Sequence, residues 1–415
     1  MGSRIALVMP RSTFLELPMV FQPLGLFYLA ARLEGLGHTT EFFDLNVDPF
    51  PADVYDEVWV SATSPQMSEI KRIGKILMSY DARSILGGAA AWANPDACMD
   101  LGYNLVVSGE SDSPGSIEKI LETQSGYLNL PITKGLDWVL PPVRRWSHKY
   151  SSALKNLDGE YIPATTMFST RGCPLECAFC ESGRHGVIWD RLTRYEPLDI
   201  VEYQIKEAKE LGYGALCYYD DVLPLAKPRT LKLMELHRRY NMIWRCFLRS
   251  DIICNQGGYE YLKELRDGGL VEIFVGVESA DNTIKDNIHK KTTIEQDTAI
   301  VHWCKELGIR AKCSFIFGLP GDSLESMDAT INWILEHRPD RAQIGRLIPF
   351  PGTPLFKNIQ DYDLKVKHIV DDDFFYAGRN SELHSFTETS NVTVEQIDQK
   401  WHEALKKLEE AGIPS

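Results

Sequence analysis

Short apolar runs alternate with longer amphipathic stretches through the first third of the chain, and that spacing is the first signal of its fold. Arg4–Met9 reads as a strand, Leu24–Leu36 as a helix ending at Gly37, and Thr39–Asp44 as a second strand. Glu57–Ala62, Ser84–Leu86 and Leu105–Val107 continue the strand series, with a helix over Met67–Tyr80. Strand–helix alternation of this kind predicts an α/β, Rossmann-like, doubly wound parallel sheet whose ligands lie at the carboxyl ends of the strands. The turns there carry Ser61–Ala62–Thr63–Ser64, Gly87–Gly88 and Gly109–Glu110. Small residues at such turns let a bulky ligand approach the backbone closely.

From Gly126 to Pro163 the pattern turns irregular and proline-rich, which reads as a linker. Alternation then resumes, with candidate strands at Thr165–Ser169, Ala215–Tyr219, Trp244–Leu248, Glu272–Val277, Lys312–Phe317 and Gln343–Leu347. Helices such as Leu198–Leu211, Arg229–Tyr240 and Thr293–Leu307 fall between them. Six βα-type units predict an open, partial (β/α)6 barrel with its chemistry at the strands' carboxyl ends. Thr393 followed by Gln396 predicts a capping box that opens a terminal helix to about Ala411. The expected organisation is a Rossmann-like domain over 1–125, a linker over 126–163, a partial barrel over 164–356, and a small, mostly helical extension over 357–415 that could cover a substrate.

Composition narrows the function classes. A chain of 415 residues with 44% hydrophobic and 25% charged residues is neither disordered nor fibrous. The net charge of −14, without a Lys/Arg-rich stripe, argues against nucleic acid and weakly for a small or cationic substrate. The acidic run Asp371–Asp373 reads as a solvated turn. No apolar run approaches the roughly 18 residues that span a bilayer. Nine cysteines without a signal peptide point to a reducing, cytoplasmic setting where thiols are ligands, nucleophiles or core fillers. Cys98, Cys217, Cys246, Cys254, Cys304 and Cys313 are scattered among apolar residues and read as packing.

Cys173, Cys177 and Cys180 are different, crowded into Arg171–Gly172–Cys173–Pro174–Leu175–Glu176–Cys177–Ala178–Phe179–Cys180 after the first barrel strand. Three soft thiolates on one short loop suit an iron–sulfur cluster or zinc. A structural zinc site needs four ligands, usually in two spaced pairs, and His185 is the only nearby fourth candidate. On a four-iron cluster, three cysteines leave one iron free to chelate an amine and a carboxylate.

The Cys-x3-Cys-x2-Cys trio, with an aromatic before its last cysteine, resembles the radical S-adenosylmethionine (SAM) superfamily. So do Tyr219–Asp220–Asp221, Val275–Gly276–Val277–Glu278–Ser279, Phe315–Ile316–Phe317–Gly318–Leu319–Pro320–Gly321 and Ile348–Pro349–Phe350–Pro351–Gly352–Thr353–Pro354, in order along the barrel. Pro23–Leu24–Gly25–Leu26–Phe27–Tyr28–Leu29–Ala30, Gly87–Gly88 and Ser108–Gly109–Glu110 resemble the subgroup preceded by a cobalamin-binding domain. The resemblance covers residues 4–356.

That resemblance implies that Cys173, Cys177 and Cys180 ligate a [4Fe-4S] cluster, which cleaves SAM to methionine and a 5′-deoxyadenosyl radical. Phe179 would flank the adenine, and Asp220 and Asp221 would bind the SAM ammonium, although each has a bland reading as a loop plug or a helix cap. Glu278 would meet the ribose or nearby polar groups, Arg249 the SAM carboxylate, and Gly318 would let the fifth strand pass the adenine. Ion pairs and a loop glycine are the structural alternatives. Pro23, Leu24, Gly25, Ser61, Thr63, Gln66, Gly87, Gly88, Gly109 and Glu110 would form a cobalamin-facing rim, with Gln66 beneath the corrin. No Asp-x-His-x-x-Gly segment offers a cobalt ligand, and Ala90 stands where many relatives carry histidine.

The leading expectation is methylation of an unactivated carbon of a small molecule, fed by a reductant such as flavodoxin or ferredoxin. The alternatives are a radical SAM enzyme with an empty N-terminal domain, and a non-catalytic metal-binding or electron-transfer protein.

Overall fold

Two parallel sheets organise the protein, and the computed structural model describes residues 2–13, 15, 17–182, 192–367 and 384–415. The contacts divide the chain into two units. One comprises the described residues of 1–152, 184–204 and 350–352, the other those of 153–183, 205–349 and 353–415. His185 and Asp371–Asp373 lie outside the described residues.

The first unit runs β1 (Arg4–Met9), α1 (Leu24–Gly35), β2 (Thr39–Asp44), β3 (Glu57–Ser61), α2 (Met67–Leu77), β4 (Arg83–Gly87), β5 (Leu105–Ser108) and β6 (Gly126–Asn129). The strands pair in the order β2-β1-β3-β4-β5-β6, all parallel. Ile5, Ala6, Leu7 and Val8 are all fully buried in β1, because helices cover both faces of such a sheet and every side chain of a central strand is interior. On α2, Ile70, Ile73, Gly74 and Leu77 form the buried stripe expected of helical periodicity. The strand order reverses between β1 and β3, where doubly wound sheets open a crevice. β6 lies within the stretch read as a linker; at four residues, mostly exposed, it is too short to show a period.

The second unit contains β7 (Ser152–Lys155), β8 (Tyr161–Met167), β9 (Ala215–Tyr218), α3 (Lys227–Tyr240), β10 (Ile243–Leu248), β11 (Leu270–Glu278), α4 (Ile294–Leu307), β12 (Arg310–Phe317), α5 (Leu324–His337), β13 (Arg341–Arg346) and α6 (Val394–Glu410). Its sheet runs β13-β12-β11-β10-β9-β8-β7 and curls into a half-barrel, with the strands from β8 to β13 joined in sequence order by parallel pairings. Trp244, Cys246 and Leu248 of β10 are buried, whereas the alternate Ile243, Arg245 and Phe247 are half-exposed, the period-2 signature of a strand with two unlike faces.

The terminal extension belongs to this unit. The expected Thr393–Gln396 capping box opens α6, whose Ile397, Trp401, Ala404 and Leu408 are buried. Trp401 Nε1 donates to the Ile344 carbonyl at 2.8 Å, and the amide of Ala342 donates to the Pro414 carbonyl at 2.9 Å. These contacts occupy edge strand β13, whose open backbone groups would otherwise invite pairing. Cys98, Cys217, Cys246, Cys304 and Cys313 are buried as packing residues, and among the described residues no helix is long and apolar enough to cross a membrane.

Candidate active site

The cysteine loop leaves the half-barrel after β8 and the short strand Thr170–Arg171, and two carboxylates from the end of β9 fasten it. Asp220, expected to hold the SAM ammonium together with Asp221, is 1% exposed. It accepts hydrogen bonds from the Ser169 amide at 2.7 Å, the Ser169 hydroxyl at 2.9 Å and the Thr170 amide at 2.6 Å. Burial pushes its carboxyl up to about 6 against these donors. Asp221 accepts from Ser182 and from the Gly172 backbone, so it touches both ends of the cysteine segment, and burial raises it too. Asp220 therefore clamps the entry to the loop, while Asp221 ties its two ends together.

Each of the three sulfurs has its own N–H donor. Cys173 receives the backbone of Leu175, Cys180 the Ser182 amide at 3.4 Å, and Cys177 the guanidinium of Arg249, Nη1 to Sγ 3.1 Å. Burial pushes the Cys173 thiol up to about 12 and the Cys180 thiol up to about 11, and the neighbouring cysteines add to both shifts. A thiol raised in this way is a poor free nucleophile, and binding a cation would displace its proton. Among the described residues, no group of three or more His, Cys, Asp or Glu closes tightly enough round one point to hold a single metal ion. A cluster does not need that convergence, because each cysteine binds a different iron.

The cations come from elements well separated in sequence. Arg249, immediately after β10, was expected to take the SAM carboxylate. Its Nε and Nη2 reach Asp251 at 3.1 Å each, and Nη2 also donates to the Lys290 carbonyl. Lys290 is buried and its Nζ lies 2.7 Å from Glu278 Oε1. Burial works against its charge, but Glu278 and then Cys177 outweigh that and hold its pKa above the ordinary value. The same Nζ lies 5.9 Å from the centre of the Phe179 ring. Phe179 itself packs on the buried cluster of Ala178, Ile284, Ile288 and Leu319.

Backbone irregularity places this pair. The pairing of β11 with β12 slips between Gly276 and Glu278, and Glu278 adopts φ +66°, a left-handed conformation that costs on the order of 1–3 kcal/mol in a non-glycine residue. His289 and Lys291, flanking Lys290, are left-handed as well. A Cβ on Gly276 would fall 2.3 Å from Glu278 Oε1 and 2.7 Å from Lys290 Nζ, so that glycine makes room for the ion pair. Gly318 has φ +81°, and the nearest neighbour to a Cβ there is Ile397 of α6 at 3.1 Å; the space it leaves is filled by the terminal helix.

In the first unit the nominated rim is divided. Ser61, Gly87 and Gly88 line a small cavity of about 30 Å³ at the carboxyl ends of β3 and β4, together with Leu26, Leu29 and Ser111. Pro23, Leu24 and Gly25 stand at the start of α1, with Leu24 buried and Gly25 exposed. Thr63 is exposed and caps the turn that follows β3. Gln66, expected beneath a corrin, is fully buried. Its Nε2 donates to the Pro10 carbonyl at 2.8 Å and Ser12 Oγ at 3.1 Å, and its Oε1 accepts the Thr63 amide at 2.9 Å. Glu110 is equally committed, with Arg194 Nη1 at 2.7 Å and the Thr133 hydroxyl at 2.9 Å. Gly88 and Gly109 are glycines because Ala62 O and Leu130 O would lie 2.5 and 2.1 Å from a Cβ.

Residues 167–334, which hold the cysteine loop and its cations, match the radical SAM superfamily. The chain carries a radical SAM domain. It is 26% identical over 386 residues to an uncharacterized methyltransferase of Pyrococcus horikoshii, covering 81% of this chain and 78% of that one. It is 23% identical over 375 residues to the bacteriochlorophyllide d C-12(1)-methyltransferase of Chlorobaculum tepidum, covering 87% and 79%. Its fold matches the radical S-adenosylmethionine methyltransferase TsrM of Kitasatospora setae, solved with cobalamin and a [4Fe-4S] cluster bound. The TM-score is 0.67 at 16% identity, covering 99% of this chain and 89% of that one.

Sequence reasoning missed Lys290 in this radical SAM domain. The signal was present in Glu278: a carboxylate ending an apolar strand needs a cation, and Lys290 and Lys291 stand in the turn before the capped helix α4.

Proposed function

We propose that the protein is a cobalamin-dependent radical SAM methyltransferase acting on an unactivated carbon of a small molecule. Cys173, Cys177 and Cys180 would hold a [4Fe-4S] cluster, with Phe179, Asp221, Glu278 and Lys290 nearest to a SAM bound at its open iron. When bound, these groups supply a carbon-centred radical from SAM and a corrinoid methyl carrier. The chain's own part is to fix and shield them. Asp220 and Asp221 hold the loop in one conformation, the three N–H donors favour charged sulfur, and the Ala178–Ile284–Leu319 cluster keeps water from one side of Phe179.

The observation that carries the reading is the loop itself, three thiols, one buried and two half-buried, each with an N–H donor and two cations close by. The names of the relatives favour methyl transfer. The small cavity beside Ser61, Gly87 and Gly88 marks the strand ends where a doubly wound sheet takes its ligand, whereas Gln66 and Glu110 are held within their own unit and would leave cobalt without a protein ligand from the nominated rim. A low-potential donor such as flavodoxin or ferredoxin would supply the electron, in the cytoplasm.

The test is anaerobic reconstitution with iron, sulfide and hydroxocobalamin, then desalting and product analysis with SAM. Retained corrinoid absorbance, with both S-adenosylhomocysteine and 5′-deoxyadenosine formed under turnover, supports the proposal. A second reading, radical chemistry with an empty N-terminal domain, is favoured by the inward commitment of Gln66, Gly88, Gly109 and Glu110. It predicts 5′-deoxyadenosine without retained corrinoid.

A further inference from the structure

Arg249 donates from its guanidinium to a sulfur of the cysteine loop, and everything else about that guanidinium fixes the direction of the bond. Nε and Nη2 are forked onto the two oxygens of Asp251, at the start of the helix Ser250–Asn255. Nη2 is also taken by the Lys290 carbonyl, whose position is set by the left-handed residues on either side. A planar guanidinium pinned along two edges cannot swing. Nη1 is thereby left facing Cys177 Sγ at 3.1 Å, and Arg249 as a whole is 6% exposed. This arrangement has no spare edge for a bidentate grip on a SAM carboxylate.

We propose that Arg249 is a positioning residue that hydrogen-bonds the cluster through Cys177 and raises the cluster's reduction potential. The inference rests on the three cysteines holding a [4Fe-4S] cluster. Adding an electron makes the cluster and its thiolates more negative, and a fixed cationic N–H on a ligand sulfur stabilises that form more than the oxidised one. Among the described residues, the hydrogen bonds to the other two sulfurs come from backbone amides, so Cys177 is where a charged hydrogen bond enters. The buried Lys290–Glu278 pair lies near the same loop, but its carboxylate offsets its cation; Arg249 turns its cation, not Asp251, toward the sulfur.

The experiment uses the full-length, anaerobically reconstituted protein without SAM. Iron and sulfide are counted in wild type, Arg249→Met and Arg249→Lys, and each cluster is titrated potentiometrically by EPR. SAM affinity is measured separately on the oxidised protein. The expected result is unchanged cluster content with a potential lowered in Arg249→Met and lowered less in Arg249→Lys. Equal potentials in all three proteins overturn the proposal, and equal potentials with weakened SAM binding return Arg249 to the SAM carboxylate.

If neither variant holds a cluster, wild type grown on 15N-arginine decides. Pulsed EPR of its reduced cluster should show coupling to a guanidinium nitrogen, and its absence overturns the proposal. A wild-type protein that takes up no four-iron cluster instead refutes the underlying reading of the cysteines.

Discussion

The two units treat their nominated residues in opposite ways. In the radical SAM domain, residues from widely separated elements converge on one loop: Asp220 and Asp221 on its backbone, Arg249 and Lys290 on its sulfur side. In the first unit, the polar residues nominated at the strand ends turn into their own fold, with Gln66 bridging to Pro10 and Ser12 and Glu110 holding Arg194. Thiols clustered on a loop have no structural use that a core could not meet more simply. Small and polar residues at parallel-strand ends do, because every such turn needs close backbone approach and capping. Motif evidence is therefore stronger for the second unit than for the first.

The largest effect should come from the loop. Cys177→Ala removes one of three sulfurs and leaves Arg249 facing nothing. Iron uptake on reconstitution and reductive SAM cleavage should both fall to background, as read by iron assay and 5′-deoxyadenosine formation. Retention of a four-iron cluster would break the contrast between the units at its stronger side.

Glu110→Gln comes next. It leaves Arg194, 3% exposed, without its carboxylate, and unpairing a buried charge costs about 3 kcal/mol. Urea unfolding should report a loss of that order, with corrinoid retention per folded chain unchanged. A large fall in retention at unchanged stability would make Glu110 a ligand contact after all. Ser61→Phe is the converse variant. It should crowd the strand ends and weaken corrinoid retention per folded chain tenfold or more, on the order of 1.4 kcal/mol.

The smallest effect is a pH slope. Asp322 accepts the amides of Gly318 and Leu319 and the hydroxyl of Ser326. Burial raises its carboxyl from 3.8 to about 6 despite them. The folded chain then keeps a proton that the unfolded chain has already lost. This group's contribution to stability is full below pH 3.8 and is lost as pH rises through about 6. Asp322→Asn should flatten that part of the curve of urea midpoint against pH.

How much of this was legible from the residues follows the same divide. Six of the seven half-barrel strands were expected within a few residues of where they lie, because period-2 burial and turn spacing mark them, whereas β7 lies in the stretch read as a linker. β6 was not expected either, being short and largely exposed. The cysteine loop, Asp220, Asp221, Arg249 and Glu278 were nominated by local motif, and the fold gathers them at one loop. Glu278 signalled that a cation was needed, but which residues meet, Arg249 with Cys177 and Lys290 with Glu278, is fixed by tertiary packing rather than by spacing. Lys290 depends on a slip in the β11–β12 register and three left-handed residues, none of which any periodicity announces.

The central claim is that the three cysteines hold an open cluster that takes SAM. The most direct measurement is iron and sulfide content of the anaerobically reconstituted chain, followed by EPR of the reduced protein with and without SAM. The account predicts roughly four irons and four sulfides per chain and a spectrum that changes on adding SAM. Zinc in place of iron, or a cluster whose spectrum ignores SAM, would contradict it.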